Sequence, residues 1–303
     1  MSRRPRKFRL THPDRVLYPE PKITKRDLAA YYAAVADWIL PQIAGRPLSL
    51  VRCPTGIGHE CFFQKHAGLG LSPAIRQIRI RETGGKSIYL AVSSLAGLLA
   101  LAQMNVLELH PWGARAADIE HPDRVIFDLD PGPGAPWSAV AAAARDCRKR
   151  LAALGLESFL RTTGGKGLHV VVPIGRRYGW DEVRDFAKRI ARTMAADAPQ
   201  RYVAKAGKSA RHGRVFIDYM RNGRGTTAVA SYSPRARAGA TVATPLAWSE
   251  LSAGLDPKRF TIKTIPGRLA RLGKNPWQGM TALRQGLPKL APKPRAQPRK
   301  RAR

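Results

Sequence analysis

Residues 124–134, RVIFDLDPGPG, constrain this chain more tightly than any other stretch. Val125, Phe127 and Leu129 alternate with Ile126, Asp128 and Asp130, so an extended strand turns the first set to one face and both carboxylates to the other. Pro131-Gly132-Pro133-Gly134 then stops the strand at once. Two acids side by side on an otherwise apolar strand repel each other and lose hydration, at a cost of several kcal/mol unless cations or donors compensate. Hard carboxylate oxygens make Mg²⁺ or Mn²⁺ the natural compensation. The plainer alternative is a pair of acids that caps a turn at a strand end.

The 303 residues, 44% of them hydrophobic, are enough for a core in one large domain or two. Lys and Arg number 53 against 21 Asp and Glu, a formal charge of +32. Such an excess destabilises a compact state by self-repulsion, and its plainest use is to hold a polyanion, with nucleic acid first. No basic amphipathic helix with a strong apolar face stands out to favour a membrane surface. Cys53, Cys61 and Cys147 are odd in number and lack disulfide spacing, which fits a reducing cytoplasm. Cys53, His59, Cys61 and His66 lie close together, but without CxxC pairing they match no standard zinc site. The basic start, MSRRPRKFRL, has no apolar run behind it and is not a secretory signal. Residues 88–107 carry no charge, yet Ser93, Ser94, Gln103 and Asn105 make them read as a short strand and a buried helix, not a membrane span.

Thr24 with Asp27 forms a capping-box pattern ahead of Leu28, Tyr31, Tyr32, Val35 and Ile39 at helical spacing, and Pro41 is expected to end that helix. HPDRV occurs at 12–16 and again at 121–125, too short for a repeat and consistent with a turn entering a strand. Short punctuated runs between 47 and 90, PLSLVRC, CFFQK, IRQIRI and SIYLAV, predict strands of an antiparallel or mixed sheet. Helices are expected near 94–103, 135–154 and 181–196. Strands are expected at VLELHPW, SFLRTT, LHVVVPI, RVFIDYMRN, TTAVASYSPRA and KRFTIKTI. Helices and strands alternate without a regular βαβ period, so the fold class is α+β or mixed α/β. No acid follows Asp256, and residues 286–303, rich in Pro, Lys and Arg, read as a disordered basic tail behind a folded unit of residues 1–285 whose first nine residues are also basic.

Between two predicted strands lies RTTGGKGLHVVVP. Its glycines let backbone N–H groups approach a phosphate, Lys166 adds charge, and His169 can donate to a phosphate oxygen. It is no Walker A loop, because Gly167 follows the lysine and a strand follows the loop. Asp218 in FIDY is a further acid inside an apolar run, and an arginine could equally satisfy it. Asp128, Asp130 and Asp218 beside such a loop are what two-metal phosphoryl transfer requires, with Lys166, His169 and Arg235 to neutralise a triphosphate.

The ordered set LTHPDRVLYPE, ITKRDLAAYY, FFQK, LELHPW, VIFDLDPG, GGKGLHVVVP, FIDY and ASYSPRARAGA resembles the polymerase domain of bacterial ligase D, a branch of the archaeo-eukaryotic primase superfamily, over residues 10–277. The resemblance implies a two-lobed core with an RRM-like sheet and a nucleotidyltransferase that adds ribonucleotides or deoxyribonucleotides at DNA gaps and double-strand break ends, using two Mn²⁺ or Mg²⁺ ions. It makes Asp128, Asp130 and Asp218 the catalytic and metal-binding acids, and places Thr163, Lys166, His169, Arg221 and Arg235 on the incoming nucleotide. Arg15 and Lys25 match the pair that grips a downstream 5′-phosphate, and Phe62 or Phe63 matches the aromatic that stacks on the template. Thr163 stands for the usual Ser, Arg15 for a common Lys, and Arg221 for a frequent Gln. This length leaves no room for the ligase and phosphoesterase domains of the fused proteins. A stand-alone cytoplasmic enzyme is therefore expected, working with Ku and a separate ATP-dependent DNA ligase. Two other classes share some of these features: a two-metal nuclease or phosphoesterase, and a non-catalytic module that binds 5′-phosphorylated DNA ends.

Overall fold

The computed structural model describes residues 9–289, except 83 and 206. The basic residues 1–8, and the expected tail from 290 onward, lie outside the described residues. Near the N-terminus the antiparallel pair β1 (Val16–Tyr18) and β2 (Ile23–Thr24) runs straight into α1 (Lys25–Ala34). Thr24 caps that helix as its sequence predicts: the Asp27 N–H donates to its hydroxyl, and the Thr24 N–H donates to the Asp27 carboxylate. Helical structure does not end at Pro41. The chain breaks at Val35, and α2 (Ala36–Ile43) carries the proline inside it. In so short a helix Pro41 forgoes one backbone bond, and the Ala44 N–H closes the last turn on Leu40 O at 2.8 Å.

The first sheet is built from β3 (Leu48–Arg52), β4 (Phe62–Gln64), β5 (Arg76–Glu82) and β6 (Gly85–Ala91), with β7 (Val106–Pro111) also paired to β3. Its pairings are antiparallel. The uncharged stretch divides as expected into the end of β6, the Ser94-capped helix α3 (Leu95–Gln103) and β7. Among the described residues no helix is long and apolar enough to cross a membrane. The cysteine expectation fails, because Cys53 and Cys61 form a disulfide with Cα atoms 4.3 Å apart. Spacing hides the pair, but the register that sets Arg52 opposite Phe62 brings their outer neighbours face to face. Cys147 is free and buried.

The second sheet positions the acids. Strand β8 (Arg124–Pro131) is followed by α4 (Trp137–Ala153), β9 (Phe159–Thr162), β10 (Leu168–Pro173), α5 (Trp180–Asp197), β11 (Tyr202–Val203), β12 (Val215–Asp218) and β13 (Pro245–Leu246). The strand order is β11-β12-β8-β10-β9-β13, antiparallel except at β11/β12. The alternation in β8 sorts its faces: Val125, Phe127 and Leu129 are fully buried in the main core with Val140, Ala144 and Leu151 of α4 and Val183, Ala187 and Met194 of α5. On the opposite face Ile126 joins Phe159, Val171, Trp277 and Met280 in a smaller cluster, and the acids occupy the rest of that face. Burying a Val or Leu of this kind stabilises by about 1.5–3 kcal/mol each, so register is strongly specified: a one-residue slip would exchange the faces.

Two expected strands are absent. Segment 226–236 scatters its backbone bonds, Ala230 N–H to Leu109 O and Tyr232 N–H to Ala243 O, and Tyr232 sits at φ +65°, which no continuous ladder allows. Segment 258–265 instead takes up a 3₁₀ turn at Pro257–Arg259, followed by hydroxyl-bonded Thr261 and Thr264 and the start of α6 (Ile265–Arg271).

Candidate active site

Antiparallel register assembles the three acids. Asp128 of β8 lies directly opposite Asp218 of β12 on one side and His169 of β10 on the other, and directly opposed residues share a face. Asp130 follows two residues along on that face. Asp128 and Asp218 are buried, 4% and 7% exposed. Arg221 Nε lies 3.0 Å from Asp128 Oδ2 and 3.5 Å from Asp218 Oδ2, while the Met220 N–H donates to Asp218 Oδ1 at 2.7 Å. Arg221 is thus on the acids, a contact its sequence position alone does not show.

Burial opposes ionisation of Asp128, but His169 and Arg221 outweigh it and hold the carboxyl low. Burial, and then repulsion from Asp128 and Asp218, pushes Asp130 well above the carboxylate range. Asp218 is also raised by burial, against the Met220 N–H and Arg221. The site therefore carries carboxylate charge that its single bridging guanidinium does not fully neutralise.

His169 is oriented by a residue that sequence reasoning missed. Arg161, opposite it on β9 and 3% exposed, directs Nε and Nη2 at His169 Nδ1, at 3.0 and 2.9 Å. A guanidinium only donates, so Nδ1 must hold a lone pair and the ring proton sits on Nε2. That nitrogen faces Asp128 Oδ1 at 3.2 Å without forming a hydrogen bond, so the oxygen is left without a partner. Burial keeps the imidazole neutral, its pKa pushed down to about 4. Arg161 also contacts the Ser231 hydroxyl at 3.3 Å and lies over the Trp277 ring.

The loop between β9 and β10 is tied to Thr163. Its hydroxyl receives the N–H groups of Gly165 and Gly167, each at 3.3 Å, and itself donates to Gly167 O. These two N–H groups, which the sequence reading points at a phosphate, are bonded within the loop. Gly167 is required for another reason: a Cβ there would come within 2.6 Å of Leu129 O and 2.9 Å of Asp130 Oδ1. Gly164 has φ +66°, and its Cβ would meet Arg235 Cγ at 2.7 Å. Lys166 is exposed at the loop tip.

Asp128, Asp130, Thr163, Lys166, His169, Arg221 and Arg235 converge on one cleft of about 480 Å³, which also takes in His110, Arg211 and Arg237. Asp218 joins it through Arg221 and the register with Asp128. Arg235 is anchored by Nε to Glu108 Oε2 at 3.0 Å and by Nη1 to Thr163 O. Glu108 further accepts from the Ala236 N–H at 2.8 Å and pairs with His110 Nε2 at 2.8 Å. The string LELHPW contains both Glu108 and His110, but nothing in its spacing separates them from ordinary strand residues.

Burial alone would raise the Glu108 carboxyl, yet His110, Arg235 and the Ala236 N–H together bring it to about 2. Since its folded pKa is depressed, Glu108 adds stability above the unfolded value of about 4.3, and that stability is lost as pH falls toward the folded value. The difference in melting temperature between wild type and Glu108→Gln is accordingly expected to be largest above pH 5 and to shrink toward pH 2. Thermal melts across that range check this, and a difference independent of pH would contradict it.

Arg15 and Lys25 are brought together by the β1/β2 pair. The Lys25 N–H donates to Arg15 O at 2.8 Å, Arg15 Nη1 reaches Pro54 O at 2.8 Å, and burial, then Arg15, lowers the Lys25 pKa. Neither lines the acidic cleft. Phe62 and Phe63, 42% and 49% exposed, stand on β4, and Phe63 packs edge-on against cleft-lining His110 with ring centroids 5.7 Å apart.

Residues 24–277 match the family model described as LigD, primase-polymerase domain. The chain is 41% identical over 278 residues to the multifunctional non-homologous end joining protein LigD of Pseudomonas aeruginosa, covering 91% of this chain and 33% of that protein. It is 35% identical over 274 residues to the multifunctional non-homologous end joining DNA repair protein LigD of Mycobacterium tuberculosis, covering 87% of this chain and 36% of that one. The chain thus spans about a third of the length of the curated relatives it matches. Among solved structures, the polymerase domain of Mycobacterium tuberculosis ligase D in complex with DNA superposes with a TM-score of 0.86 at 33% identity, over 91% of this chain and 99% of that one. The α+β architecture agrees with that neighbour, and the chain belongs to the LigD primase-polymerase domain family, a family of nucleotidyltransferases.

Proposed function

We propose that the chain adds nucleotides to a DNA primer strand at gaps and break ends under template direction, as part of non-homologous end joining. The convergence of Asp128 and Asp130 with Lys166, His169 and Arg235 on one cleft, with Asp218 directly opposite Asp128, carries this reading. The acids suit Mn²⁺ or Mg²⁺: they are hard oxygen donors, Asp128 Oδ1 lacks a hydrogen-bond partner, and the charge on Asp130 is poorly compensated. Two such ions, when bound, would activate the attacking 3′-hydroxyl and hold the leaving oxygen. Lys166, Arg235 and Arg237 would neutralise a nucleoside triphosphate, and neutral His169 would donate from Nε2. Arg15 with Lys25 would take a downstream 5′-phosphate, and Phe62 or Phe63 would stack on the template. Ku and a DNA ligase activity are the partners this role calls for. Basic residues beyond 286 would add DNA affinity that falls with salt.

No three His, Cys, Asp or Glu side chains converge at metal-binding distance among the described residues, and Arg221 lies between Asp128 and Asp218. A metal must compete with that guanidinium. Arg221→Gln is therefore expected to tighten Mn²⁺ binding by about tenfold, the equivalent of one pKa unit of charge interaction. Mn²⁺ titration followed by electron paramagnetic resonance measures it, and unchanged or weaker binding would remove Arg221 as the competitor.

The reading itself is tested by incubating a labelled gapped duplex with Mn²⁺, with and without nucleoside triphosphates. Lengthening that requires nucleotide is expected. Shortening without nucleotide would indicate a nuclease, and binding with no change in length would leave an end-binding module.

A further inference from the structure

The second HPDRV enters β8 at the end opposite the acids, and its Asp123 and Arg124 help to line a separate cavity of about 300 Å³. Around that cavity stand Arg46, Arg115, Arg124, Arg176 and Arg284, with Asp123 the single acid among the lining residues. Two of these guanidiniums are built into the protein: Arg46 is fully buried and Arg124 is 9% exposed. Asp123 has both oxygens engaged. Oδ1 accepts from Arg124 Nε at 3.0 Å, and Oδ2 pairs with Arg46 Nη2 at 2.5 Å and lies 3.6 Å from Arg115 Nε.

One carboxylate against the three guanidiniums that touch it leaves two positive charges unmatched, before Arg176 and Arg284 are counted. Arg46 Nε is shielded from solvent and has no hydrogen-bond partner. Burial first, and then repulsion from Arg124, pushes the Arg46 pKa down to about 9 despite the Asp123 carboxylate. A purely structural cluster needs only the Arg46–Asp123 pair, since surplus buried charge costs stability. Guanidinium forks with spare donors are matched to the oxygens of a phosphate.

We propose that this cavity is a second phosphate-binding site, taking either a free phosphate dianion or the terminal phosphate of a nucleic-acid strand. Asp130 lies six steps along β8 from Arg124, roughly 20 Å at about 3.3 Å per residue, so a phosphate held here is not the triphosphate in the acidic cleft. Along a duplex strand that distance is about six nucleotides.

Calorimetric titration of the full chain with pyrophosphate, without divalent metal, tests the site. Arg115→Ala/Arg176→Ala is expected to remove one pyrophosphate per chain from the wild-type stoichiometry. Lys258→Ala/Lys263→Ala, which deletes the same charge from exposed positions elsewhere, is expected to remove none. Circular dichroism confirms that both variants are folded. A wild-type isotherm retained by Arg115→Ala/Arg176→Ala, or an equal loss in the lysine variant, would overturn the proposal. Competition with 5′-phosphorylated and 5′-hydroxyl oligonucleotides then separates the sources. Displacement that depends on the 5′-phosphate in wild type and loses that dependence in Arg115→Ala/Arg176→Ala supports a strand end, and equal behaviour of the two oligonucleotides supports the free dianion.

Discussion

Asp130→Ala is expected to lower Mn²⁺-dependent nucleotide addition by about a thousandfold or more, the scale on which loss of a central catalytic group acts. Its backbone pairing with Phe216 of β12 is unaffected, and the smaller Ala side chain withdraws from Gly167 and creates no clash there. Stability is expected to move the other way. Burial and the neighbouring acids raise the Asp130 pKa, so its ionised form costs folding free energy at every pH above its unfolded value. Removing it should leave the melting temperature at pH 7.5 equal to or above that of wild type. Primer extension and a thermal melt on the same preparations separate the two effects. Loss of activity together with a lower melting temperature would mean that Asp130 supports the fold and not the chemistry.

Arg161→Leu carries the second large effect. The guanidinium is what fixes the His169 proton on Nε2, and without it either nitrogen can carry that proton. Orienting partners of this kind are worth about 10- to 100-fold in activity. The expected result is a fall of that size in kcat with little change in DNA affinity. Nitrogen-15 spectra of histidine-labelled protein give a readout that a merely structural role would not move: His169 is the Nε2-protonated tautomer in wild type and a mixture in the variant. An unchanged tautomer with unchanged kcat would deny Arg161 this role.

Most of the architecture is legible in the sequence where a side-chain period and a buried face coincide. The alternation of β8 displays the acid face, the Thr24/Asp27 pattern sets the start of α1, and Ser94 starts α3. Legibility fails where long-range partners decide the backbone. Segment 226–236 has strand composition, but Leu109 and Ala243 take its hydrogen bonds one at a time. The Cys53–Cys61 pair depends on the β3/β4 register, which no cysteine spacing encodes. In the site, paired acids in an apolar run draw notice because their burial is costly, whereas Arg161 and Glu108 each stand alone on a short strand with no second residue of like charge to mark them. Their roles come from cross-strand neighbours, His169 for the one and Arg235 for the other.

The resemblance to ligase D and the physical reading of the residues single out the same acids, and the structure adds a contact at Arg221. The sequence places it near the nucleotide. The structure sets it between Asp128 and Asp218, which makes it a counter-ion to two of the acids proposed to hold the metals.

The most direct measurement is single-nucleotide addition across a one-nucleotide gap bearing a downstream 5′-phosphate, with each of the four nucleotides offered against each of the four templating bases in Mn²⁺. The account predicts that the complementary nucleotide is preferred in every case, and that a 5′-hydroxyl in place of the phosphate weakens the reaction. Addition that ignores the templating base, or no addition by a protein that binds the duplex, would contradict it.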